Sequence, residues 1–133
     1  MIRIVNINLF ALIIFITQGV VAAGLNSPAI EPIRLNQLLT GQKPPLVVDV
    51  RSPDEYSAGH IPNSVNIPVP LIAKRLGEMG NVSDLVLYCN DSRLTRVAEQ
   101  MLLRGGVKGF FHLEGGLNGW QEAGLELENS LPE

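Results

Sequence analysis

Three short runs constrain this chain more than any other feature: Leu46 to Val50 (LVVDV), Leu85 to Tyr88 (LVLY) and Gly109 to His112 (GFFH). Each reads as a strand that is apolar on both faces, so each needs a covering layer on both sides. The segments between them carry helical spacing. Strands of this kind separated by helices define an α/β fold, a parallel sheet with helices on both faces.

Two of the helices are announced locally. Ser52-Pro53-Asp54-Glu55 is a capping box with proline at the first helical position, which predicts a short helix directly after the first strand. From Ser92 to Arg104, the residues Leu94, Val97, Ala98, Met101 and Leu102 fall at i, i+3, i+4, i+7 and i+8, so that face is predicted to be buried. Gly105 and Gly106 then supply the left-handed residue that closes a helix. Further helices are predicted over Pro70 to Met79 and over Leu117 to Ala123, the second ended by Gly124. The sequence shows no internal repeat, no low-complexity tract and no second domain.

A chain of 133 residues, 46% of them hydrophobic, suits one compact core. Its formal charge is −3, and its basic residues read as scattered along the sequence. That pattern offers no footprint for nucleic acid, whose phosphates require a basic surface. Cys89 is the only cysteine, so no intramolecular disulfide forms and the redox compartment is left open. The N-terminus speaks to that question. Leu9 to Ile16 (LFALIIFI) is an unbroken apolar run preceded by Arg3 and followed by Gly19-Val20-Val21-Ala22-Ala23. Residues 1–23 therefore read as a secretory signal peptide cleaved after Ala23, with export to a periplasm or the extracellular space. The alternative, an uncleaved anchor, has fewer apolar residues than the ~20 a span requires. Once the signal is removed, no stable membrane association is expected. Residues 24–27 read as a linker, 28–129 as the domain and 130–133 as a C-terminal tail.

Cys89 stands where the strand LVLY gives way to Asn90-Asp91-Ser92-Arg93-Leu94-Thr95 and then to the amphipathic helix. In a parallel α/β sheet, ligands bind at the carboxyl ends of the strands, where the next helix presents unpaired N–H groups and its positive dipole end. A thiolate at that position is stabilised and becomes a competent nucleophile at neutral pH, and the same N–H groups can cradle an anion. Other polar residues read as structural. Asp49 is expected to satisfy backbone N–H groups of a neighbouring loop, with Arg51 beside it, and His60 to act as a hydrogen-bonding turn residue. His112 should be packed or partly exposed, and Trp120 should fill core space with one partner for its indole N–H. No metal is expected, because no second histidine or carboxylate lies at ligand spacing from His60.

With LVVDVRSPDEYSAGHIPNSVNIPV at 46–69, LVLYC at 85–89 and GFFHLEGGLNGWQEAG at 109–124, the sequence resembles the rhodanese homology domain, particularly its exported single-domain type. The resemblance spans roughly residues 28–129. It implies a five-stranded parallel sheet and a sulfurtransferase without cofactor or metal. Cys89 would take the outer sulfur of thiosulfate or a related donor as a persulfide and pass it to cyanide or a thiol acceptor. The resemblance places the substrate cradle at Asn90, Asp91, Ser92, Arg93, Leu94 and Thr95, acting chiefly through backbone N–H groups. Within that loop, Ser92 stands where glycine is frequent in the family and Leu94 where some members carry arginine. Arg93 is its one formal positive charge, and Asp91 sets a negative charge where thiosulfate would enter.

Two other functions compete. A phosphatase or arsenate reductase on a related fold would need an arginine six positions after the cysteine to clamp the oxyanion, and that position is Thr95, with Arg96 one residue late. A binding or regulatory module that keeps the fold without turnover is the second, and absence of activity would distinguish it.

Overall fold

The computed structural model describes residues 27–130, except 81 and 83. The signal peptide, all but the last residue of the linker and residues 131–133 of the tail lie outside the described residues. Five strands form one sheet: β1 (Ala29–Ile30), β2 (Leu46–Asp49), β3 (Val65–Asn66), β4 (Leu85–Tyr88) and β5 (Phe110–Leu113). Every pairing is parallel and the order is β1-β5-β4-β2-β3. The helices are α1 (Pro32–Leu39), α2 (Pro53–Ala58), α3 (Leu76–Met79), α4 (Ser92–Arg104) and α5 (Gly116–Glu122), with a 3₁₀ segment at Val69–Lys74.

Alternate residues of the strands enter two separate cores, as the period of two demands. Val48, Leu85, Leu87 and Phe110 pack with Ile72, Met79, Ala98 and Leu102 from the 3₁₀ segment, α3 and α4. Val47, Val86, Tyr88 and Leu113 pack on the opposite face with Leu35 of α1 and with Leu117 and Trp120 of α5. The sheet is thus covered on both sides, the architecture expected from strands without a polar face.

Local chemistry explains most boundaries. The capping box is formed: Ser52 Oγ accepts from the Glu55 N–H and Glu55 Oε2 accepts from the Ser52 N–H. Helix α4 begins at Ser92, capped by Asp91, and closes at Gly106, whose φ of +82° is readily available to glycine. The third strand is displaced by one residue from the expected 109–112, because Gly109 has a φ of +75° and turns the chain before it extends. The helix expected over 70–79 is broken. Residues 69–74 are 3₁₀, closed by the Arg75 N–H on the Ile72 carbonyl, and α3 restarts at Leu76. Pro70 brings no N–H, and the β-branched Val69 and Ile72 disfavour a regular α-turn there.

The buried face of α4 also differs from its apolar pattern. Thr95, Ala98, Glu99 and Leu102 are buried, whereas Leu94 and Val97 face outward. The helix is rotated because Glu99 has partners inside: the Ser27 N–H and hydroxyl both donate to Glu99 Oε1, and Ser27 Oγ lies 2.9 Å from His112 Nδ1. Ser27, read as linker, is therefore built into the domain. Ser130, read as tail, donates its N–H to the Ser57 carbonyl. Helix α1 and the two-residue strands β1 and β3 were not individually foreseen.

Candidate active site

The chain moves outward across the sheet from β2 to β3, returns to the centre at β4 and then moves the other way to β5. Crossovers leave β2 and β4 in opposite directions, and this parts the loops at the carboxyl ends of these two strands. Such a switch point is where open α/β sheets bind ligands. The loops that meet here are Val50-Arg51-Ser52 after β2 and Cys89 to Asp91 after β4.

Cys89 directly follows β4, and its side chain is almost wholly buried. It nevertheless lines a cavity of about 330 Å³ together with Asn90, Asp91, Arg93 and Leu94. Thr95, one turn into α4, donates its hydroxyl to Cys89 Sγ at 3.1 Å. The Cys89 carbonyl accepts the N–H of Leu117 at 2.8 Å. The turn entering α5 lies so close that a Cβ on Gly116, where φ is +57°, would stand 2.4 Å from the Cys89 carbonyl oxygen. Only glycine fits against the loop at that point.

The seven site residues inferred from sequence do not share one opening. Ser92 and Thr95 line a second hollow of about 210 Å³ with His112, Leu113, Gly115 and Gly116, and Asp91 borders both. The Asn90 side chain turns toward α2: its Oδ1 accepts from Arg51 Nη1 at 3.2 Å and its Nδ2 donates to Glu55 Oε1 at 3.0 Å. Arg93 is not a free cation over the cavity. It pairs with Asp91 at 3.2 Å, and its backbone N–H is held by Asp91 Oδ1 at 2.9 Å. That N–H is already engaged and unavailable to a substrate anion in this arrangement. The Arg93 N–H first, and its guanidinium second, hold the Asp91 carboxyl below its ordinary range.

Behind the loop lies a buried ion pair. Asp49 binds the Arg51 guanidinium at 2.7 Å and also accepts the Arg51 N–H, so it serves its own loop and not the neighbouring one expected. Arg51 carries the connection onward to the Gly59 carbonyl and to Asn90. Burial alone would lower the Arg51 pKa, but the hydrogen bonds and charge of Asp49 outweigh it and hold it above normal. Tyr88 lies under this pair, its ring centroid 5.9 Å from the guanidinium carbon, and burial followed by the Asp49 charge pushes its phenol upward. Asp49 and Arg51 thus fix the two loops relative to each other. His60 stacks on Tyr56 at 3.8 Å and hydrogen-bonds the Tyr56 carbonyl, and Trp120 donates to the Glu126 carbonyl within the core. The sequence reading missed the Thr95 contact with sulfur and the buttress from Gly116 and Leu117. The Gly115-Gly116 pair was visible, but nothing in the sequence showed what it packs against.

Fold and site together define an α/β domain with one candidate nucleophile, held at a strand-to-helix junction beside a small cavity. The chain belongs to the rhodanese-like domain family, whose model matches residues 31–123. An HTH-type transcriptional regulator of Mycobacterium tuberculosis is 34% identical over 87 residues, which is 65% of this chain and 38% of the regulator. A sulfurtransferase of Allochromatium vinosum is 32% identical over 93 residues, or 70% of this chain and 87% of that protein. This chain therefore spans well under half of the first relative and most of the second. The crystal structure of a thiosulfate sulfurtransferase from Pseudomonas aeruginosa shares the fold at a TM-score of 0.71 and 24% identity, over 80% of this chain and 21% of that one.

Proposed function

We propose that this protein is a sulfurtransferase that carries sulfane sulfur on Cys89. The observation that carries the reading is Cys89 lining this cavity at the carboxyl end of the central strand, with the Thr95 hydroxyl 3.1 Å from its sulfur. In the first half-reaction the Cys89 thiolate attacks the outer sulfur of thiosulfate or a related sulfane donor. The donor's S–S bond breaks, and sulfite leaves with its electron pair. In the second, cyanide or a thiolate attacks the outer sulfur of the persulfide, and the Cys89 thiolate is regenerated. The balance closes without cofactor or metal, as in other covalent ping-pong schemes. Loop N–H groups not already held by Asp91 would bear the donor's negative charge, and Thr95 would support the sulfur in both its thiolate and persulfide states.

Intact-mass measurement tests this. Purified protein given a sulfane donor should gain the mass of one sulfur atom, lose it on addition of cyanide or a reducing thiol, and fail to gain it as Cys89→Ser. Transfer at the parent rate by the serine variant would refute the mechanism, and absence of uptake from any donor would favour the non-catalytic module instead. We also propose that residues 1–23 direct export and are removed after Ala23, so N-terminal sequencing of exported material should begin at Gly24. Full-length protein held at a membrane would refute that assignment.

A further inference from the structure

Three basic residues that read as scattered in the sequence, Arg93, Arg96 and Arg104, stand together on the exposed side of α4. Between Ser92 and His112 lie Arg93, Arg96, Arg104 and Lys108, four of the ten Lys and Arg residues, and the only carboxylate in that stretch is the buried Glu99. Arg93, Val97, Gln100 and Arg104 follow i, i+4, i+7 and i+11, one stripe along the solvent side of α4. Leu94 flanks the stripe on one side, and Arg96 and Leu103 flank it on the other. The apolar members are unusually bare, with Leu94 43%, Val97 48% and Leu103 42% exposed. Among the described residues, no ion pair involves Arg96, Arg104 or Lys108.

We infer that the outward face of α4 is a docking surface for an acidic protein that presents a thiol to Cys89. This rests on the sulfur-transfer reading above and names the class of its acceptor. The stripe begins at Arg93, which lines the Cys89 cavity together with the flanking Leu94, and follows the 13-residue helix, about 20 Å long. A donor the size of the cavity touches only its first turn, so the remainder suits a macromolecule. Arginine interleaved with single apolar side chains is the composition of a protein interface. The charge complement of such a face is acidic, whereas the cavity itself is lined by the exposed Asp91, and the exposed Glu55 accepts from Asn90 beside it. A flat anionic membrane would be repelled at that end. A shaped protein can set carboxylates over the helix and keep its thiol end free of them.

The test measures sulfur transfer from persulfidated, intact protein to short synthetic peptides. Each has one cysteine and one leucine, with flanking residues all acidic, neutral or basic. At low ionic strength kcat/KM should be about tenfold higher for the acidic peptide than for the neutral one and lower still for the basic one, with the differences shrinking in high salt. Arg96→Glu combined with Arg104→Glu should abolish this preference and leave transfer to cyanide unchanged, which also shows that the variant is folded. Equal rates for the three peptides, or a preference that survives charge reversal, would overturn the inference. So would a salt-sensitive association with anionic phosphatidylserine vesicles that outcompetes the acidic peptide, or a dimer of the parent lost in the variant. Failure of sulfur uptake even from thiosulfate with cyanide as acceptor would count against the sulfurtransferase reading itself.

Discussion

Replacing Thr95 by valine keeps the volume of a buried side chain and removes the hydroxyl that lies 3.1 Å from the Cys89 sulfur. Both residues are almost wholly buried, so a water from the adjoining cavities would replace the lost donor only in part. Hydrogen bonds to charged groups contribute about 1.5–3 kcal/mol, which corresponds to roughly 10- to 150-fold in rate if the bond is fully used in the transition state. Sulfur is a weak acceptor, so the lower end applies, and kcat/KM for thiosulfate should fall about tenfold. The alkylation rate of Cys89 by iodoacetamide should fall in parallel, because both reactions draw on the same thiolate. Thr95→Ser, which retains the hydroxyl, should recover most of the loss. Parent-like rates in the valine variant, or an equal loss in the serine variant, would show that the contact is packing and not support of the nucleophile.

Gly116→Ala should lower sulfur transfer at least tenfold, because a methyl group 2.4 Å from the Cys89 carbonyl oxygen forces the loop aside and misplacement near 1 Å costs about 100-fold; full activity would mean that the loop tolerates displacement. Ser27→Ala removes the hydroxyl that joins Glu99 and His112, and thermal unfolding should register a loss of about 1–2 kcal/mol, near 4–8 °C per kcal/mol in a domain of this size. An unchanged Tm would place Ser27 outside the folded unit. Glu55 is held below its ordinary carboxylate range by the Ser52 N–H first and the Ser52 hydroxyl second. Its folded value is therefore depressed, so its contribution is complete above the unfolded pKa and is lost as pH falls through the folded one. Glu55→Gln should accordingly lower Tm at pH 7 and converge with the parent in acid, and a gap that persisted at low pH would show that the capping box does not depend on the charge.

How much was legible is clearest residue by residue. LVVDV and LVLY were readable as strands because their apolar residues run consecutively, and the Ser52 box was readable because all its partners lie within one turn. Helix α4 was readable in extent but not in orientation. Its apolar pattern pointed to Leu94 and Val97, whereas the interior accepted Thr95 and Glu99. Those two are buried because each has a partner brought in from elsewhere: the Cys89 sulfur for Thr95, and for Glu99 a serine 72 positions away in the chain. Strands β1 and β3 escaped notice because two residues carry no period; they are strands only because β5 and β2 lie alongside.

By itself the sequence determined the fold class, the two-sided burial of the sheet and the position of the single thiol at a strand-to-helix junction. These follow from contacts between near neighbours and from the periods of strand and helix, which one dimension records. Tertiary structure alone decided that Thr95 meets the sulfur and that Gly116 presses against the Cys89 carbonyl. It also turned Leu94 and Val97 of α4 outward, among the exposed Arg96 and Arg104. The physical reason is common to all of these. The way a loop closes and a helix turns is set by which distant groups meet the buried polar atoms, and packing the two cores brings those groups together.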